Sequence, residues 1–132
     1  METTTYGYEA TLPGASLDEA RARVTEALAA EGFGVLTEID VQATLKKKID
    51  VDFRPYLILG ACNPKLAHQA LQAEPRIGLL LPCNVVVEER DGGVTVSIVN
   101  PRAMFGVVKS PNLEPVVTEA DQRLRRVLEA LG

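Results

Sequence analysis

Two short segments of this chain hold the residue types that do chemistry: Cys62-Asn63-Pro64-Lys65 and, about twenty residues later, Cys83-Asn84. A thiolate is a nucleophile, a redox centre and a soft-metal ligand, and an asparagine amide can donate to or accept from a ligand. Cys62 stands one residue before a predicted helix N-terminus, where free N–H groups and the helix dipole favour the thiolate and lower a thiol pKa. Cys83 stands beside Pro82, an irregularity of the kind that re-aims a side chain next to a site. The two are therefore candidates for one site, as a nucleophile with its partner, a redox pair or metal ligands. The plain alternative is that both are small buried hydrophobes, since free cysteine is among the most buried residue types. Two thiolates without further ligands do not complete the four-coordinate site that zinc prefers.

Other chemistry is sparse. His68 is the one histidine. It lies away from the apolar centre of its helix, which predicts a solvent-facing side chain rather than a base aimed at a thiol. Asn63 and Asn84 read either as cap and turn residues or as amide donors to a ligand oxygen. Lys65 adds positive charge at an already positive helix end, so a small anion near Cys62, Asn63 and Lys65 is the ligand this segment would answer, although Pro64 deletes one donor. Phosphate-cradling glycine loops and metal-hydrolase signatures are absent.

The elements that must position these residues follow from periodicity. Tyr6, Tyr8, Ala10 and Leu12 recur at every second position, predicting a strand over Thr3 to Leu12 with one buried face. Ser16 and Glu19 form a capping box that opens an amphipathic helix with Leu17, Ala20, Val24, Ala27 and Leu28 inward, closed by Gly32. Phe33, Val35, Ile39 and Val41 predict a second strand. Thr44 to Val51, with Lys46, Lys47 and Lys48, reads equally as a helical turn or a loop, and the lysine run reads as solvated.

A third strand, Tyr56 to Cys62, is apolar on both faces. Asn63 as cap and Pro64 at the first helical position then predict a helix to Ala73 with Leu66, Ala67, Ala70 and Leu71 inward. Ile77 to Leu81 and Cys83 to Arg90 read as one strand or two, interrupted at Pro82, where a bulge or edge is expected. Asp91-Gly92-Gly93 connects a hairpin to Val94 through Val99. An irregular stretch holds Met104 and Phe105, read as core or dimer-contact residues, and a terminal helix runs from about Leu113.

The order predicts an α+β domain: a mainly antiparallel sheet with helices on one face, spanning residues 1–132 as a single domain. Strands such as Leu57 to Leu59 and Leu79 to Leu81 look too apolar on both sides for open water, which predicts cover by loops or a second subunit, hence a homodimer. A chain of 132 residues with 14 basic and 18 acidic side chains carries a formal charge of −4. That balance argues against nucleic acid as a partner. No apolar run approaches a membrane span, no leader is read after Met1, and two cysteines are too few for a disulfide scaffold, so the reading is cytoplasmic.

Asp52-Phe53-Arg54-Pro55-Tyr56 through Gly60-Ala61-Cys62-Asn63-Pro64, with Leu80-Leu81-Pro82-Cys83-Asn84-Val85, resembles the bacterial and archaeal family called domain of unknown function 302. The resemblance covers nearly the whole chain. It implies a curved antiparallel sheet similar to the TATA-binding-protein-like class, in one copy and paired as a homodimer. It implies no activity, and it makes Cys62, Asn63, Pro64, Pro82, Cys83 and Asn84 a shared site without a catalytic role. Likeness to a DNA-bending saddle is a likeness of fold alone.

Three functional readings result. The first is a dimeric module binding a small ligand or metal through Cys62, Asn63, Lys65, Cys83 and Asn84. The second is a thiol-dependent enzyme or sulfur-redox protein using Cys62 with Cys83, which requires an accessible Cys62 of depressed pKa. The third is an interaction scaffold, which requires no hollow beside the cysteines. No cofactor is identified.

Overall fold

A computed structural model describes residues 2–132, with side chains from Thr4 onward. The elements are β1 (Glu2–Thr3), β2 (Gly7–Pro13), α1 (Leu17–Ala30), β3 (Gly34–Asp40), α2 (Val41–Ile49), β4 (Tyr56–Cys62), α3 (Pro64–Ala73), a 3-10 helix (Pro75–Leu80), β5 (Cys83–Arg90), β6 (Gly93–Val99), α4 (Pro101–Phe105), a second 3-10 turn (Pro111–Leu113) and α5 (Glu114–Leu131). The strands form one antiparallel sheet in the order β1-β2-β6-β5-β4-β3. The α+β class predicted from periodicity is the class observed.

Helices α1 and α5 cover one face. The core joins Tyr8 and Leu12 of β2, Val94, Val96 and Ile98 of β6, Val85 and Val87 of β5 and Leu57, Leu59 and Ala61 of β4 to Val24, Leu28, Leu124 and Leu128 of the helices. Alternation does this: odd positions of β4 and β5 point inward and even positions outward. A second cluster, with Leu66, Ala70, Ile77, Phe105 and Val116, packs α3 and the 3-10 helix beside α5. Phe105 is thus a core residue, and Met104 packs against the same cluster.

Local signals set the ends of elements. Ser16 accepts from the Glu19 N–H at 3.1 Å and Gly32 takes a positive φ of 83°, closing α1 as predicted. Asp91 and Gly92 both have positive φ, 51° and 78°, the left-handed pair that a two-residue hairpin between twisted strands requires.

Several expectations are corrected. Tyr6 is not in the first strand: a turn joins β1 to β2, and Tyr6 is exposed. Val41 starts a helix, because the Asp40 carboxylate accepts from the Ala43 N–H at 2.9 Å and caps it; Thr44 to Ile49 is therefore helical. Leu71 turns outward. Ile77 to Leu80 is a 3-10 helix rather than a strand, capped by Glu74, and Leu79 is 85% exposed. The strand irregularity falls between Val35 and Thr37 instead of at Pro82. The outer sheet face is consequently not greasy on the scale expected: Leu57 and Leu59 both point inward, leaving Ile58 between them on the outside.

Candidate functional site

Cys62 ends β4, and its neighbour Asn63 caps α3 by accepting from the Leu66 N–H at 3.2 Å. That bond occupies the Asn63 oxygen in a structural task. Lys65 is exposed in the first turn of α3, and no carboxylate reaches it among the described residues. His68 is exposed. Cys83 opens β5, where it pairs with Ala61 and is buried on the helix-covered side. Cys62, at the last position of β4, pairs with Gly34 and is half-buried. Both thiols are free.

Cys62 and Cys83 border a common hollow with Phe33, Leu66, Phe105 and Ala120, but its volume is about 30 Å³. That is about the volume one water occupies in the liquid. Burial pushes the Cys62 thiol above its ordinary value and drives Cys83 up to about 11, with the charge of Cys62 a smaller cause for Cys83. For Cys62 this direction is opposite to the depressed pKa that the thiol-enzyme reading requires. Among the described residues no group of three or more His, Cys, Asp or Glu could hold a metal ion.

Asn84 goes elsewhere. It pairs with Gly60 and points to the open sheet face, away from Cys83. There it lines a groove of about 350 Å³ with Tyr6, Tyr56, Glu88, Arg90 and Ser97. Of the five residues proposed from sequence as ligand contacts, Cys62, Asn63 and Cys83 border the small hollow, Lys65 faces solvent and Asn84 lines the groove.

The groove has ordered electrostatics. Glu88 is 6% exposed although it lies on the uncovered face. Arg54 donates to its Oε1 from Nε at 3.0 Å and approaches with Nη2 at 2.9 Å. The same guanidinium stacks 4.5 Å from the Phe53 ring centroid and 5.6 Å from that of Tyr56, which fixes it as a lid over the carboxylate. Arg90 donates to Glu9 at 3.2 Å and to Thr95 at 3.4 Å, and Ser97 donates to Glu9 at 3.3 Å. Burial first, then the charge of Glu88, holds the Tyr56 phenol above its usual value, so it is a neutral donor at physiological pH.

Sequence reasoning missed Tyr56, Glu88 and Arg90 as a group. The signal was present: Asn84, Val86, Glu88 and Arg90 alternate with Cys83, Val85 and Val87, marking a polar outer face with a carboxylate near its middle.

A helix long and apolar enough to cross a membrane does not occur among the described residues. The chain is 28% identical over 85 residues to an uncharacterized protein of Aquifex aeolicus strain VF5, a match covering 61% of this chain and 59% of that relative's length. It superposes with a TM-score of 0.89 and 29% identity on the crystal structure of an uncharacterized conserved DUF302 protein from Bacillus stearothermophilus, covering 98% of this chain and 100% of that one. The model of the family described as "Domain of unknown function DUF302" matches residues 8–131, and the chain belongs to that family.

Proposed function

We propose that this domain is a cytoplasmic binding module whose small polar ligand lies in the open-face groove, not among the cysteines. Two comparisons of magnitude support the choice. The groove's volume of about 350 Å³ matches small-ligand pockets, which begin near 300 Å³, whereas the cysteine hollow is about a tenth as large. The observation that carries the reading is Glu88: a carboxylate 6% exposed on a sheet face that no helix covers, with Oε1 engaged by Arg54 and no protein donor on Oε2 among the described residues. A hydrogen-bond donor on the ligand answers that oxygen, and the Tyr6 and Tyr56 rings wall a flat body. Glu9 and Glu88 are each paired, with Arg90 and Arg54, so the charges balance and the groove suits a neutral ligand with an N–H donor, such as an amide. In this reading the module acts as a homodimer, with one groove on each copy.

The test is NMR of the amide-labelled protein against a set of small amines, amides and carboxylates. Binding is expected to shift the amides of Asn84, Val86, Glu88 and Ser97, and Glu88→Gln is expected to weaken it about tenfold, the loss of one charge-assisted hydrogen bond. Shifts centred on Asn63 and Lys65, or affinity indifferent to Glu88→Gln, would overturn the groove as the site.

A further inference from the structure

Arg54 comes to the groove from outside it. It stands in residues 50–55, the connection between α2 and β4, which has no regular structure. Two hydrogen bonds pin that segment: Gln42 Nε2 donates to the Phe53 carbonyl at 2.9 Å, and the Glu89 N–H donates to the Pro55 carbonyl at 3.0 Å. The guanidinium reaches Glu88 with both of its contacts, Nε at 3.0 Å and Nη2 at 2.9 Å, on Oε1, and the side chain stays 46% exposed. Its central carbon lies 4.5 Å from the Phe53 ring centroid and 5.6 Å from that of Tyr56, so two rings and a carboxylate surround one flat cation.

The groove's own charges do not balance. Among the described residues, the ionised groups that line it are Glu9, Glu88 and Arg90, two carboxylates against one guanidinium. Arg90 is already spent, donating to Glu9 at 3.2 Å and to Thr95 at 3.4 Å. Were it to turn to Glu88, Glu9 would lose its partner and the excess negative charge would stay in the groove. Arg54 supplies the missing positive charge from beyond the lining. Because Glu88 is buried, solvent screens its charge weakly, and the presence or absence of that one guanidinium sets the sign of the field a ligand meets.

We infer, resting on the groove as the ligand site proposed above, that Arg54 is the residue that selects the ligand's charge: with its guanidinium on Glu88 the groove takes a neutral planar amide, and without it the same carboxylate and rings take a planar cation. A cation entering the wild-type groove gives up its hydration to meet a carboxylate whose charge is already answered. A neutral amide has less hydration to lose and donates to Oε2 while Arg54 keeps Oε1. Selection of this kind is a difference between two affinities, made here by withholding a free charge from the wrong ligand. Removal of the guanidinium leaves a buried carboxylate beside two vacated aromatic faces, the surroundings that suit a flat cation of the amidinium or guanidinium type.

Benzamide and benzamidinium share size and flatness and differ by one charge, so NMR titration of the amide-labelled full chain with each separates charge from shape. Benzamidinium is expected to bind Arg54→Gln at least about tenfold more tightly than wild type, shifting the amides of Asn84, Val86, Glu88 and Ser97, while benzamide gains nothing from the change. Arg54→Lys, which keeps the positive charge, should behave as wild type. Arg54→Gln leaves a buried carboxylate uncompensated, so its melting should fall, and millimolar benzamidinium should raise it, or refold the variant if it is unfolded, without raising the melting of wild type. Benzamidinium no tighter on Arg54→Gln than on wild type, an equal gain in Arg54→Lys, or a variant that benzamidinium does not stabilise would overturn the inference. Benzamidinium held beside Glu88 in Arg54→Gln, with benzamide leaving the groove amides of wild type unmoved, would support charge selection by Arg54 and defeat only the amide ligand, so the two fail separately.

Discussion

The Tyr8 hydroxyl donates a 2.6 Å hydrogen bond to Oδ1 of Asp121, joining the inner face of β2 to α5 across 113 positions of sequence. Arg125 completes the knot, donating to Asp121 Oδ2 at 3.1 Å and to the Tyr8 oxygen at 2.9 Å while its guanidinium lies 4.5 Å from the Tyr8 ring centroid. Asp121 is buried, so its charge is tolerated only because these donors converge on it.

Tyr8→Phe removes the shortest of those bonds without changing the packed volume. Denaturant unfolding should show a loss of about 1–3 kcal/mol, the cost of leaving a buried acceptor short of a donor. A loss below about 0.5 kcal/mol, the low end for one hydrogen bond, would mean that Arg125, with Arg102 3.7 Å from Oδ2, satisfies the carboxylate without the tyrosine.

Gly60 has no room for a side chain. A Cβ there would meet Thr37 Oγ1 on β3 and lie 2.7 Å from Pro82 Cγ. Gly60→Ala is expected to destabilise by about 1–3 kcal/mol through overpacking, and adding Thr37→Ala should return part of that by removing one of the two obstacles. Equal stabilities of the single and double variants would place the strain at Pro82.

Asn63 separates a cap from a ligand contact. Because its oxygen holds the Leu66 N–H, Asn63→Ala should cost about 0.5–2 kcal/mol in thermal or chemical unfolding, while Asn63→Asp, which keeps an acceptor, should cost little. An unaltered stability in Asn63→Ala would argue that the residue's task is elsewhere.

The raised thiols make a signed pH prediction. An unfolded cysteine loses its proton near pH 8.5, whereas folded Cys83 holds it to about 11. The folded state therefore binds more protons in that window, and the stability contributed by neutral Cys83 is whole below about pH 8.5 and is lost as pH rises toward 11. Melting of the wild type should fall across this interval more steeply than that of Cys83→Ala. Iodoacetamide labelling of folded protein should be slow at pH 7 for both thiols; rapid labelling of Cys62 at that pH would reopen thiol chemistry.

What could be read along the chain was whatever is decided within a few residues. The Ser16 and Asn63 caps, the left-handed Gly32, the Asp91-Gly92 turn and the inward positions of α1 all depend on local backbone groups and on spacing, and each is observed where the residues indicate. Family membership was legible for the same reason, since the Cys-Asn segments are contiguous. The conformation of Ile77 to Leu81 was not, because a short apolar run suits a strand or a turn of helix equally until its neighbours choose.

Sequence alone determined an α+β chain of antiparallel strands with amphipathic helices and nominated its two Cys-Asn segments. Only the tertiary structure decided that these segments part company, Cys83 going under the helices and Asn84 onto the open face beside Tyr56 and Glu88. The reason is the two-residue period of a strand: neighbours in sequence are on opposite sides of the sheet, and which side is covered depends on how the entire chain buries its apolar surface.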